Sequence, residues 1–176
     1  MWAFEPTPYL INHLKNSSKE FQEKYHIIPY ALSNINEIAD FHIAGHHDWG
    51  CSSLNIFSEG LETTWPNRKD FYFTETISVQ VCRFDSWYEN TNQTFQQIDF
   101  FHCDTQGNDL KVLEGMGKYI DLIIDGVIEV PASNKVKLYK NQHNKEESVE
   151  FLKNNGFFIY KEIYQMNEIN LYFKKS

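Results

Sequence analysis

The chain has 176 residues, 41% of them hydrophobic and 16% aromatic, enough for one globular domain with a substantial core. A formal net charge of -8 repels phosphate backbones and anionic membranes, so neither nucleic acid nor membrane is an expected partner. Cys51, Cys82 and Cys103 are odd in number, widely spaced and free of any C-x-x-C pairing, which suits buried thiols in a reducing, cytoplasmic setting. No stretch resembles a signal peptide, and no apolar run is long enough to span a bilayer.

In chain order, residues 1–5 read as the end of an apolar strand. Pro6 and Pro8 mark a turn, with Thr7 as N-cap and Pro8 at the first position of a helix running to about residue 24. A strand is predicted at 26–32, closed by Ser33 and Asn34, and a half-buried one at 39–44. Residues 45–70 are polar, with Gly50, Gly60 and Pro66, and read as a long functional or mobile loop. Alternation of Ile77, Val79 and Val81 predicts a strand at 75–83, followed by a short helix at 84–90.

The stretch IDFFHCDTQGNDLKVLEG, from Ile98 to Gly115, is an apolar strand ending in Asp104, a glycine turn, and a helix over 108–118. In an open α/β sheet that strand end is where ligands sit. Asp104 can act on a ligand there or merely cap the helix, and composition leaves both readings standing. Residues 122–130 form an almost wholly apolar strand ending near Glu129. Residues 145–155 form a helix stopped by Gly156, and strands at 157–164 and 169–174 make an antiparallel hairpin around Met166, Asn167 and Glu168. The alternation of strands and helices predicts a doubly wound α/β sheet with an antiparallel edge.

Several segments, in order, resemble the FkbM-type S-adenosylmethionine-dependent methyltransferases: AFEPTP at 3–8, ALSN at 31–34, GCSSL at 50–54, VCRFDSW at 81–87, the segment from Ile98, IEV at 128–130 and FLKNNGF at 151–157. The resemblance covers nearly the whole chain as one domain, residues 1–176. It implies a Rossmann-like class I methyltransferase fold with a mostly parallel sheet and an antiparallel C-terminal hairpin. It also implies S-adenosylmethionine as cofactor, and methylation of a hydroxyl on a small molecule or sugar. By the resemblance, Glu5 accepts the two ribose hydroxyls, which suits the two oxygens of a carboxylate. Ala31, Leu32 and Ser33 pack the adenine. Asp104 lies beside the sulfonium and the nucleophile, where it positions the reactants or takes the acceptor's proton.

Relative to the family pattern, the first strand and the glycine-rich loop that holds the methionine moiety have no counterpart before Glu5. The chain is therefore expected to be a partial domain, with an open sheet edge that invites self-association. Other residues carry rival readings. Ser52 and Ser53 line the substrate side of the cleft or form a polar turn. Arg83 pairs with Asp85 or meets substrate. Glu129 is the second acid of the cleft or satisfies a structural partner. Cys103, next to Asp104, turns to the opposite face and packs. His42, His46, His47 and Asp48 offer ligand atoms but not an H-E-x-x-H pattern, and no metal is expected. Trp49, Trp65 and Tyr72 in the long loop would suit an acceptor pocket. The alternative to an enzyme is a non-catalytic fragment or a glycan-binding module.

Overall fold

A computed structural model of the chain describes residues 1–21, 23–45, 49–69, 71–135 and 137–176. Of the histidine cluster, His46, His47 and Asp48 lie outside the described residues, as does the side chain of Trp49. Strand β1 (Trp2–Phe4) lies parallel to β2 (His26–Ile28), with Trp2 opposite His26 and Phe4 opposite Ile28. Helix α1 (Pro8–Ser17) joins them, with Thr7 at its N-cap and Pro8 in its first turn. It stops earlier than its sequence pattern suggests. Ser18 gives both its N–H and its hydroxyl proton to the Leu14 carbonyl, and a 3-10 turn, Lys19–Phe21, follows. Short polar side chains compete with the helical ladder in this way.

The expected strand at 26–32 is divided in two. Pro29 has no N–H for the ladder, and beyond it the chain changes neighbours. β3 (Ala31–Leu32) pairs in parallel with β5 (Phe73–Cys82), which also pairs antiparallel with β4 (Glu37–Ala44). Between β4 and β5, the described part of the long segment holds a four-residue helix, α2 (Leu61–Thr64), and packs against the rest of the chain. Leu61 and Trp65 pack with Leu138 and Tyr139, and isolated bridges join Phe57 to Tyr139 and His42 to Ser53.

Helix α3 (Phe84–Asn90), strand β6 (Phe101–Cys103) and helix α4 (Asp109–Gly115) come next. β7 (Asp125–Pro131), α5 (Lys145–Asn154), β8 (Phe157–Gln165) and β9 (Glu168–Lys175) complete the chain. Helix α5 opens with a reciprocal capping box between Asn144 and Glu147, and Gly156 at φ 78° ends it. The main core lies between α3, α4 and the β6–β7–β9–β8 sheet, where Leu113, Met116, Ile123, Ile128, Leu171 and Phe173 are all fully buried.

The strand pairing corrects the expectation of one mostly parallel sheet. Among the described residues the strands form three sheets, ordered β1-β2, β3-β5-β4 and β6-β7-β9-β8. Three pairs are parallel and three antiparallel. Hydrophobic alternation reports which face of a strand is buried, whereas neighbours and direction depend on the connections. Among the described residues no helix is long and apolar enough to cross a membrane.

Candidate active site

Strands β1 and β6 face one another across a cavity of about 1200 Å³ that both of them line along their whole length. They run in the same direction. At one end, the Trp2 ring lies 5.9 Å from that of Phe95, upstream of β6. At the other, beyond both strands, the Asn108 amide donates to the Leu32 carbonyl at 2.9 Å. The cavity therefore has a carboxyl end, and Glu5 and Asp104 stand at it, each just past the last residue of its strand. Ala31, Leu32, Phe41, Ser52 and Leu54 continue the wall.

Glu5 is half-buried, and its Oε1 accepts the Thr7 N–H at 2.7 Å, which fixes the carboxylate at the mouth of α1. Asp104 is exposed and does not cap α4, whose N-cap is Asn108. The turn beyond Asp104 is unusual: Gln106 and Gly107 both occupy the left-handed region, at φ 56° and 86°. For Gln106 this conformation is strained, and its surroundings hold it there. Its Nε2 donates to Asp104 Oδ1, and its carbonyl accepts the Ser53 hydroxyl at 2.6 Å. The Tyr139 hydroxyl lies 2.8 Å from Gln106 Oε1 and 2.8 Å from the Cys51 carbonyl, so its one proton serves these two acceptors. At Gly107, a Cβ would come within 3.0 Å of the buried Tyr139 side chain. Tyr139 thus braces the turn that presents Asp104.

Behind this turn the acids are crowded. Burial, and then the charge of Asp104, raise Asp109 to about 7. Burial followed by Asp104, Glu168 and Asp109 raises Glu129 to about 9, and burial with Asp104 raises Glu168 to about 7. Glu129 therefore holds its proton at neutral pH and is no general base there. Burial also raises the Cys103 thiol well above its ordinary value, and Cys103 packs in the core as its strand alternation implies.

The structure brings Glu5, Ala31, Leu32, Ser52 and Asp104 to one cavity and places the other candidates outside its wall. Ser33 is buried, with its N–H on the Cys82 carbonyl and its hydroxyl 3.5 Å from Asn108 Oδ1. Ser53, fully buried, holds the Gln106 carbonyl and also accepts the Asn55 N–H. Arg83 forms a two-pronged ion pair with Asp85 and donates to the Asn34 carbonyl at 2.9 Å. Glu129 sits behind the turn, coupled to Asp104 through charge rather than exposed to the cavity. Trp65 is buried against Tyr139's cluster, and neither it nor the exposed Tyr72 reaches the cavity. Sequence reasoning did not single out Asn108 or Tyr139. The first had a cue in its place ahead of a helix; Tyr139 had none, since it meets the turn only through tertiary packing.

A model of the methyltransferase FkbM domain matches residues 1–159. Neither a curated protein nor a solved structure gives a match.

Proposed function

Since the chain belongs to the FkbM methyltransferase family, we propose that its β1–β6 cavity binds S-adenosylmethionine and that the domain methylates a hydroxyl of a small molecule or sugar. The observation that carries this reading is the pairing of Glu5 and Asp104 at the carboxyl end of two co-directional strands. The residues present suit the cofactor. Ligand pockets for drug-sized molecules span roughly 300–1,000 Å³, so the volume suffices. Glu5 keeps one oxygen and a further lone pair beyond its Thr7 bond, sites for the two ribose hydroxyls. Ala31 and Leu32 offer a small and an apolar surface for the adenine ring.

When bound, S-adenosylmethionine supplies an electrophilic methyl group. The work left to the protein is to orient the acceptor hydroxyl and remove its proton. Asp104 is the base in this reading, since it lies on the cavity and Gln106 Nε2 steers one of its oxygens. Glu129, protonated behind it, adds no negative charge that would stabilise the sulfonium and so oppose the loss of its charge on methyl transfer. Ser52, whose hydroxyl accepts the Ala44 N–H at 3.0 Å, is the polar side chain that the described part of the long segment contributes to the cavity wall, where it can contact an acceptor.

The test is calorimetry of S-adenosylmethionine and S-adenosylhomocysteine against the wild-type chain, Glu5→Ala and Asp104→Asn. Micromolar binding that Glu5→Ala weakens at least tenfold and Asp104→Asn largely keeps is the expected result. A folded wild type that binds neither compound refutes the reading for this chain. Binding of a glycan without either compound would favour a carbohydrate-binding module instead.

A further inference from the structure

The charges around Asp104 bear on which acceptor the site takes. Among the described residues that line the cavity none is Lys or Arg, while Glu5, Asp99 and Asp104 are acids. A field of one sign inside a cleft gathers ligands of the opposite sign and turns away those of its own. A phosphate or carboxylate on the acceptor would meet no such cation in the wall, and burying it unpaired is costly.

The acids continue past Asp104, on the side away from Glu5. β6 and β7 are parallel with Cys103 opposite Ile128, so Asp104 and Glu129 follow side by side, on strands about 4.8 Å apart. β9 runs antiparallel to β7 and brings Glu168 opposite Pro131, at the same end of the sheet. Ile128 and Ile169 belong to the core, so their neighbours Glu129 and Glu168 turn to the other face. Hydrogen-bond donors are short in this row. Glu168 Oε1 is buried without a partner, and so is Oδ2 of Asp109, a side chain 3% exposed whose charge reaches Glu129. The charge of Arg68 reaches Glu168, but its guanidinium lies 4.3 Å from the centroid of the Phe71 ring and donates to Cys51 Sγ at 3.7 Å, outside the cavity wall. Unpaired buried acceptors are expensive, and a ligand that brings both N–H donors and positive charge relieves them.

We infer that the acceptor is a polyol carrying an ammonium group, as an amino sugar does, with the ammonium on the Glu168 side of Asp104; this rests on the methyltransferase reading of the site. The hydroxyl to be methylated faces the Asp104 oxygen that Gln106 leaves open, and the ammonium beside it, with three donors, serves Glu168. Acceptors bearing a phosphate or carboxylate are turned away by the same row.

The probes are glucosamine, glucose and glucuronate, which share one ring and differ in charge. Each is titrated at neutral pH into the isotope-labelled whole chain, with and without S-adenosylhomocysteine, and the amide signals of residues 104–107 and 168 are followed. Glucosamine is expected to bind about tenfold or more tightly than glucose, and glucuronate more weakly than either. Glu168→Gln, checked for folding by circular dichroism, should cut the glucosamine advantage about threefold or more. Equal binding of glucosamine and glucose, tighter binding of glucuronate than of glucose, an advantage that Glu168→Gln leaves intact, or no response to any of the three sugars overturns the inference. Failure of S-adenosylhomocysteine to bind while the glucosamine advantage persists refutes the cofactor reading alone and supports the cationic subsite.

Discussion

Gly115 is the position where adding one methyl group should do most harm. It is the last residue of α4, and a Cβ built on it would lie 2.0 Å from the Ser33 carbonyl oxygen and 2.9 Å from its carbon. Ordinary contact begins at 3.4 Å, so the helix end and the chain after β3 must part by about 1.4 Å. Both partners are backbone, and neither can rotate away. Fully buried Leu113 and Met116 hold the helix on its core side, and the Asn108–Leu32 bond and a 2.7 Å bond from the Asn34 amide to Glu114 clamp the crossing. Overpacking of this kind costs about 1–3 kcal/mol. Loss of a clamping bond adds about 1–3 kcal/mol, against a gain of at most about 1 kcal/mol in helix propensity. Gly115→Ala is therefore expected to destabilise by about 1–5 kcal/mol, or about 2–20 °C in a chain of this length. Thermal and urea denaturation followed by circular dichroism measure this directly. An alanine variant as stable as wild type would show that the α4–β3 crossing is looser than its geometry implies. Cofactor affinity should fall with stability, because the displaced chain carries Ala31 and Leu32.

Tyr139→Phe removes the hydroxyl donor that the Cys51 carbonyl and Gln106 Oε1 share, and should cost about 1–2 kcal/mol in chemical denaturation. It should also weaken cofactor binding more than its stability loss explains, since Gln106 then relaxes from φ 56° and releases Asp104. Gly107→Ala meets both a positive φ and the Tyr139 side chain, and should lower the melting temperature more than an alanine placed at open Gly60. The raised carboxyl groups give a pH dependence. Asp109, Glu129 and Glu168 bind protons more tightly in the folded chain than in the unfolded one. Their contribution to stability is thus fully present below about pH 4 and is lost as pH rises through about 7 to 9. Glu129→Gln should raise the melting temperature at pH 9 and change it little at pH 5; an equal change at both would refute the burial of that charge.

The residues that position the cavity differ in how visibly the sequence announces them. The alternation of Ile77, Val79 and Val81, the Gly156 helix stop and the closing hairpin are local signals, and β5, α5, β8 and β9 formed where those signals lay. Arg83 is different. Sequence offered it a substrate or Asp85, and only the fold, by setting the pair at the start of α3 with Asn34 behind it, decides for Asp85. Ser33 reads as an open strand end, but Asn108 reaches back from a point 75 residues later and closes it.

The segment from Asp104 to Asp109 shows why such choices escape a linear reading. It holds two aspartates five residues apart at the same strand-to-helix turn, chemically alike and both beside short polar neighbours. One is exposed on the cavity; the other is 3% exposed, accepts the Thr105 N–H at 3.3 Å and is pushed up to about 7. What separates them is the left-handed pair Gln106–Gly107, which reverses the chain so that one acid faces out and the next lies beneath the turn. That reversal depends in turn on Tyr139, delivered by a segment with no sequence link to the motif. The base proposed for this site is thus chosen by a brace from outside the motif: remove the brace, and the two carboxyl groups lose the geometric distinction that leaves one exposed at the cavity while the other stays buried.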